Sequence, residues 1–218
     1  NANKKEFLAH LNVILHETYS QIINATHIII TYGTSWVYRN IASNEIVANC
    51  HKVPQKQFSK ELLSVATIEK SIENTIGIIQ KINPNCHFIF TISPVRHLKD
   101  GFVENTLSKS HLITALHNLL NTDYFPSYEI MMDELRDYRF YAQDMLHPNQ
   151  LAIDYIWEKF TNSSVKESAF STMDEVATIQ KSLAHKPFNL NSESHKKFVL
   201  NLQNKIEVLQ NQFPFIQF

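Results

Sequence analysis

His87-Phe88-Ile89-Phe90-Thr91-Ile92-Ser93-Pro94 sets the architecture of this chain. A short uninterrupted run of aromatic and β-branched residues, closed by a serine-proline step, reads as a strand covered on both faces, as strands of parallel sheets are. His27-Ile28-Ile29-Ile30-Thr31 repeats the pattern, stops at Gly33, and is expected to be buried on both faces as well. Between the two runs, Phe58, Leu62, Val65, Ile68, Ile72, Ile76 and Ile79 keep helical spacing until Asn83-Pro84-Asn85 ends it. Residues 34 to 57 carry no such period and read as irregular, aromatic-rich chain.

Upstream, Phe7, Leu8, Leu11, Ile14, Leu15, Tyr19, Ile22 and Ile23 predict an amphipathic helix over 4–24. Downstream, Asp100-Gly101 marks a turn, and Leu107, His111, Leu112, Ala115, Leu116 and Leu119 predict the next helix. Tyr124 to Ile130 reads as a third strand, interrupted near Pro126. Asp133 to Tyr141 is polar and aromatic and leads to Asp144-Met145-Leu146-His147-Pro148, with Pro148 suited to the first turn of a helix that runs to Phe160. Strands alternating with helices predict an α/β fold with a parallel sheet over 1–160. Residues 161–218 read as a helical appendage packed on that body: Thr172 with Glu175 makes a capping box, and Phe198, Leu202, Ile206 and Leu209 mark a last helix.

Composition narrows the function classes. The chain has 218 residues, 44% hydrophobic and 19% charged, with 20 Lys+Arg against 21 Asp+Glu. A near-neutral balance supplies no cationic surplus for nucleic acid. Three glycines, Gly33, Gly77 and Gly101, lie far apart, which excludes a P-loop and a dinucleotide-binding glycine fingerprint. Cys50 and Cys86 form no disulfide framework and have no zinc spacing, which favours a reduced, cytoplasmic home. No apolar run approaches the ~20 residues of a membrane span. Three strands make a narrow sheet, and a helix followed by a strand is the second half of a βαβ unit. The expected reason is that the sequence is a piece of a longer protein whose first strand precedes it, with Asn1-Ala2 a remnant of tag cleavage.

In open parallel sheets, ligands bind beyond the carboxyl ends of the strands. Gly33-Thr34-Ser35-Trp36, then Ser93-Pro94-Val95-Arg96-His97, and finally Asp144 and His147 follow the three runs. An Asp three residues before a His can hold the imidazole Nδ1 proton and leave Nε2 as a general base toward a serine. The bland reading is an Asp that caps the last helix and a His that packs. Arg96 suits a substrate carboxylate or phosphate, or a salt bridge to Asp133, Glu134 or Asp137. Arg136 and Arg139 are expected in a buried polar network under the His147 loop. His51, His97 and His147 offer a three-His zinc alternative without supporting spacing.

Gly33-Thr34-Ser35-Trp36-Val37-Tyr38, Val47-Ala48-Asn49-Cys50-His51-Lys52-Val53-Pro54, Ser93-Pro94-Val95-Arg96-His97, Tyr124-Phe125-Pro126-Ser127-Tyr128-Glu129-Ile130 and the run from Asp133 to Pro148 together resemble the GSCFA domain family. That family is similar to the SGNH (GDSL-type) hydrolases, which cleave small esters and carbohydrate acetyl groups. The resemblance implies a three-layer α/β/α sandwich, truncated here at its N-terminus. It further implies a nucleophilic serine in an upstream Gly-Ser-Cys-Phe-Ala string absent from these residues. Only the terminal Asp-x-x-His carries over directly, to Asp144 and His147. The SGNH block with an oxyanion-binding Asn would fall on Gly33-Thr34-Ser35-Trp36, which lacks the Asn, so Asn49, His51 or His97 would supply donors instead. Ser35 is expected to line the pocket rather than attack.

The expected function is therefore a serine esterase on a small ester or acylated carbohydrate. Asp144 and His147 are catalytic; Gly33, Thr34, Ser35, Asn49, His51, Arg96 and His97 bind substrate or oxyanion. No metal, organic cofactor, nucleic acid or membrane is involved, and the fragment alone is expected to be inactive. The alternative is a non-catalytic binding or structural module on an esterase-like fold.

Overall fold

A computed structural model describes residues 3–47, 49–119, 123–189 and 191–218, in two compact units, 1–157 and 158–218. In the first unit, helix α1 (Lys4–Asn24) starts where Asn3 Oδ1 accepts the amides of Lys5 and Glu6. Strand β1 (His27–Tyr32) follows, then an antiparallel sheet of β2 (Trp36–Asn40), β3 (Ile46–Val47) and β4 (Phe58–Leu62). Helix α2 (Val65–Ile82), strand β5 (His87–Ile92), helix α3 (Phe102–Asn118) and strand β6 (Asp123–Phe125) continue the chain. A single turn, α4 (Ser127–Glu129), runs into a π-helical turn over 130–134, and α5 (Gln150–Ser164) follows the Asp144–His147 loop.

The expected parallel sheet is present, in the order β1-β5-β6, with Ile28 beside Phe88 and Phe90 beside Tyr124. β5 is its centre, and Phe88, Ile89, Phe90, Thr91 and Ile92 are all buried. Helices α2 and α3 cover one face: Ile68, Ile72 and Ile79 meet Phe88, Phe90 and Ile92, with Leu112, Ala115 and Leu116 beside them. Such burial, at ~25 cal/mol per Å² of apolar surface, is the main term holding the unit together. Asn83 ties two helix ends: its Nδ2 donates to Ile22 O and Ala25 O at 2.8 Å each.

Several expectations need correction. β1 is not covered on both faces: Ile28 and Ile30 pack into the core, but Ile29 is 53% exposed because β1 is an edge of this sheet. Residues 34 to 57 are not all irregular, and Phe58 to Leu62 is strand rather than helix. Phe58 and Leu62, four apart, imitate a helical step, yet they pair across β2, opposite Asn40 and Trp36. Ser64, whose Oγ accepts the Thr67 amide, is where the helix actually starts. The third strand ends at Phe125, because Pro126 is followed by helical turns. Helix α5 likewise begins after Pro148, at Gln150, with Asn149 Oδ1 accepting the Ala152 amide.

The second unit holds α6 (Phe170–Leu183) and α7 (Glu193–Gln212) around Ile179, Leu202 and Leu209, with Val176, Phe198, Ile206, Phe213 and Ile216 packed against them. Ser192 caps α7 through the His195 amide. The Thr172–Glu175 capping box does not form, because a 3-10 turn over Glu167–Ala169 starts the helix earlier and places Thr172 inside it. No described helix is long and apolar enough to cross a membrane.

Candidate active site

The parallel strands deliver Gly33 and Ser93 side by side at their carboxyl ends, where the Ser93 amide still bonds Tyr32 O at 2.8 Å. Beyond that point the ladder stops and α3 supplies the partners. Its buried stripe is polar near the N-terminus (Asn105, Ser108, Lys109) and apolar further on (Leu112, Ala115, Leu116). A helix after a parallel strand runs back along the sheet, so its first turns lie at the strands' carboxyl ends. Lys109 Nζ donates to Gly33 O and to Ser93 O, 2.7 Å each, and sits 5.4 Å from the Tyr128 ring centroid. Burial lowers its pKa to about 8.

Ser108 Oγ accepts the Ser35 amide at 2.8 Å and shares hydrogen bonds with Thr34 Oγ1 (2.9 Å) and Ser35 Oγ (3.1 Å). Ser35 is 1% exposed, and its hydroxyl also donates to Ser108 O at 3.0 Å. A side chain so enclosed does not line a pocket, which corrects the expectation for Ser35: it fixes the turn after β1. Thr34 Oγ1 accepts the Trp36 amide, and Trp36 Nε1 donates to Glu104 O.

His97 is half-buried against Gly33. A Cβ on Gly33 would lie 3.2 Å from His97 Nε2, so only glycine lets the ring settle there unforced. The His97 amide donates to Asn105 Oδ1 at 2.8 Å. Burial lowers the imidazole pKa, the Lys109 and His147 charges lower it further, and Asp100 opposes them. These effects favour the uncharged imidazole, and His147 lies within electrostatic reach of it.

The Asp144–His147 loop is built as a closed turn. Asp144 Oδ1 accepts the amides of Leu146 (2.9 Å) and His147 (3.0 Å), and Asp144 Oδ2 lies 2.5 Å from His147 Nδ1. These bonds hold the carboxyl pKa down at about 2, the His147 amide contributing most. Met145 takes φ 61°, and the Ala142 amide reaches His147 O at 2.7 Å. The imidazole is 60% exposed, and its Nε2 has no hydrogen-bond partner among the described residues. Asp144 therefore caps its own loop, not helix α5.

Among the described residues, Arg96 makes no salt bridge to Asp133, Glu134 or Asp137. Its guanidinium bonds Met145 O and lies 4.5 Å from the Tyr141 ring centroid and 5.5 Å from that of Tyr138. It thus braces the His147 loop from the β5 side. The buried network expected of Arg136 and Arg139 is absent: both are exposed, and Arg139 pairs locally with Asp137 at 3.2 Å. Asn49 and His51 sit on an exposed stretch, where Asn49 Oδ1 accepts the His51 amide at 2.7 Å. Among the described residues neither bonds to the Asp144–His147 pair. No three His, Cys, Asp or Glu side chains among the described residues converge as a metal site, so the three-His arrangement does not form.

Residues 1–160 match the model of the GSCFA family, and residues 176–218 match that of the C-terminal domain of GSCFA domain proteins. The chain belongs to the GSCFA family. No curated protein matches it. Within this GSCFA domain, the sequence pointed to Asp144, His147, Gly33 and His97 but missed Asn105, Ser108 and Lys109. The signal was available: these polar residues keep the i, i+3, i+4, i+7 phase of the Leu112, Ala115 and Leu116 stripe.

Proposed function

We propose that the GSCFA domain is a serine ester hydrolase of the SGNH kind, on a three-layer α/β/α sandwich, which removes an acyl group from a small or carbohydrate-linked ester. The observation that carries this reading is the 2.5 Å contact between Asp144 and His147 Nδ1, with Nε2 left unengaged. In the reaction, His147 Nε2 takes the proton from a serine hydroxyl as the oxygen attacks the ester carbonyl. Asp144 keeps the Nδ1 proton in place and faces the imidazolium that forms. The proton then passes to the leaving alcohol, and water repeats the sequence on the acyl-enzyme. Gly33, Thr34 and the neutral His97 form the adjoining wall, with His97 a donor to the developing oxyanion; Asn49 and His51 contribute from the loop beyond β3 (Ile46–Val47). Arg96 acts as the brace of the base rather than as a substrate ligand.

The attacking serine is assigned to the family's Gly-Ser-Cys-Phe-Ala string, outside residues 1–218, since the Ser35 hydroxyl is committed to Ser108. The chemistry uses no metal or organic cofactor, and the free thiols Cys50 and Cys86 suit a reducing cytoplasm. The test is hydrolysis of aryl acetates and acetylated sugars by the full-length protein, together with labelling by a serine-directed fluorophosphonate. Activity that disappears in His147→Ala, with labelling on the upstream serine, supports the reading. A second reading, a non-catalytic binding module, is favoured by the burial of Ser35 where a catalytic fold would present a polar donor. Absence of labelling and turnover in a folded full-length protein selects it.

A further inference from the structure

Lys109 is 1% exposed, and nothing in the ester chemistry above uses it. A buried ammonium is costly to desolvate, and an aliphatic side chain of similar length would fill the same space without that cost. What the ammonium adds is specific. It donates to two carbonyls, Gly33 O and Ser93 O, which belong to neighbouring parallel strands just past their last shared ladder bond. The same glycine faces the His97 ring, whose Nε2 would lie 3.2 Å from a Cβ at position 33, and the His97 amide is held by Asn105, one helical turn before Lys109. The charges near His97 are Lys109, His147 and Asp100, and Asp100 is itself paired with Lys60.

We propose that Lys109 is a positioning residue: its ammonium clamps the carboxyl ends of the two strands so that Gly33 and His97 form one preset wall of the site. The inference rests on the reading of this rim as the active site, but its test needs no turnover. The experiment is NMR on the protein carrying Lys109→Met, with Lys109→Arg as the charge-retaining control. The readouts are the His97 titration midpoint and the amide resonances of Gly33, Thr34 and Ser35. Lys109→Met is expected to raise the His97 midpoint by several tenths of a pH unit and to displace or broaden the three amides. Lys109→Arg is expected to return the His97 midpoint to its wild-type value. The unmutated protein supplies a second measurement. Its ammonium titrates near pH 8, and the Gly33 and Thr34 amides are expected to shift with that same midpoint. A folded Lys109→Met protein with wild-type His97 titration and unmoved amides overturns the proposal. If Lys109→Met does not fold, wild-type amides that stay fixed while the Lys109 ammonium titrates overturn it equally. An inactive esterase that still shows both NMR effects separates the two readings.

Discussion

Replacing Ser108 by Ala removes one hydroxyl from the turn that follows β1, and the cost can be worked out from its neighbours. Ser108 is 1% exposed, so water cannot take the place of the lost oxygen. The Ser35 amide, 2.8 Å from Ser108 Oγ, loses its acceptor outright. Ser35 Oγ keeps Ser108 O, and Thr34 Oγ1 keeps the Trp36 amide, so each of those hydroxyls loses only one of two bonds. A buried amide left unpaired costs about 1–3 kcal/mol, and the lost hydroxyl bonds add about 1 kcal/mol more. The expected destabilisation is thus about 2–4 kcal/mol, a melting temperature lower by roughly 5–15 °C for a unit of this size. Ser110→Ala is the control: Ser110 is exposed, its hydroxyl donates to the local Thr106 O, and it shares the helix-propensity gain, so it should stay within about 0.5 kcal/mol of wild type. Calorimetry or thermal circular dichroism measures both. Equal melting temperatures for the two variants would refute the claim that the Ser108 hydroxyl holds the Ser35 turn.

Asp144→Asn keeps an acceptor for the Leu146 and His147 amides but presents an NH2 group to His147 Nδ1, moving the imidazole proton to Nε2. Esterase kcat in the full-length protein should fall by about 10²–10⁴ with the fold unchanged, while full activity would remove Asp144 from the mechanism. Gly33→Ala places a methyl 3.2 Å from His97 Nε2; the ring has to shift, and a cost of about 1 kcal/mol is expected, with a displaced His97 side-chain resonance as the readout. The Asp144 carboxyl pKa is depressed from 3.8 to about 2, so its support of the loop is complete above pH 4 and is lost as pH falls through 2. The Leu146 and His147 amide shifts should follow that titration, and a midpoint near 4 would show that the loop bonds are not made in solution.

The parts of the fold legible in the sequence are those in which one physical term dominates. Phe88 to Ile92 is apolar at every position but Thr91, and that one is β-branched, so the run reads as the central strand. β1 reads the same in sequence, yet whether Ile29 is covered depends on what lies across the sheet, which no local pattern records. The small antiparallel sheet was hidden for two reasons. Its register pairs Trp36 with Leu62 and Asn40 with Phe58, partners too far apart in the chain for a local pattern to join, and its β2–β3 turn uses Asn44 at φ 58° where a glycine would have announced it. Asp144 and His147 were legible because three residues of spacing suffice to close their contact. The Arg96 brace was not: its partners are a backbone carbonyl and two ring faces, and none of these leaves a trace as an opposite charge.

Helix α3 turns Asn105, Ser108 and Lys109 to the site from one stripe, and this governs how the gene can change. One residue added or deleted between Lys109 and Leu112 would rotate the polar half of the helix against the apolar half by about 100°. The misplaced half would swing its ammonium and hydroxyl away from the strand ends together, and no single later substitution could bring them back. Length variation in this protein should therefore accumulate in the exposed β2–β3 turn over 41–45, which bears no such phase, while the helix evolves by exchange of side chains alone.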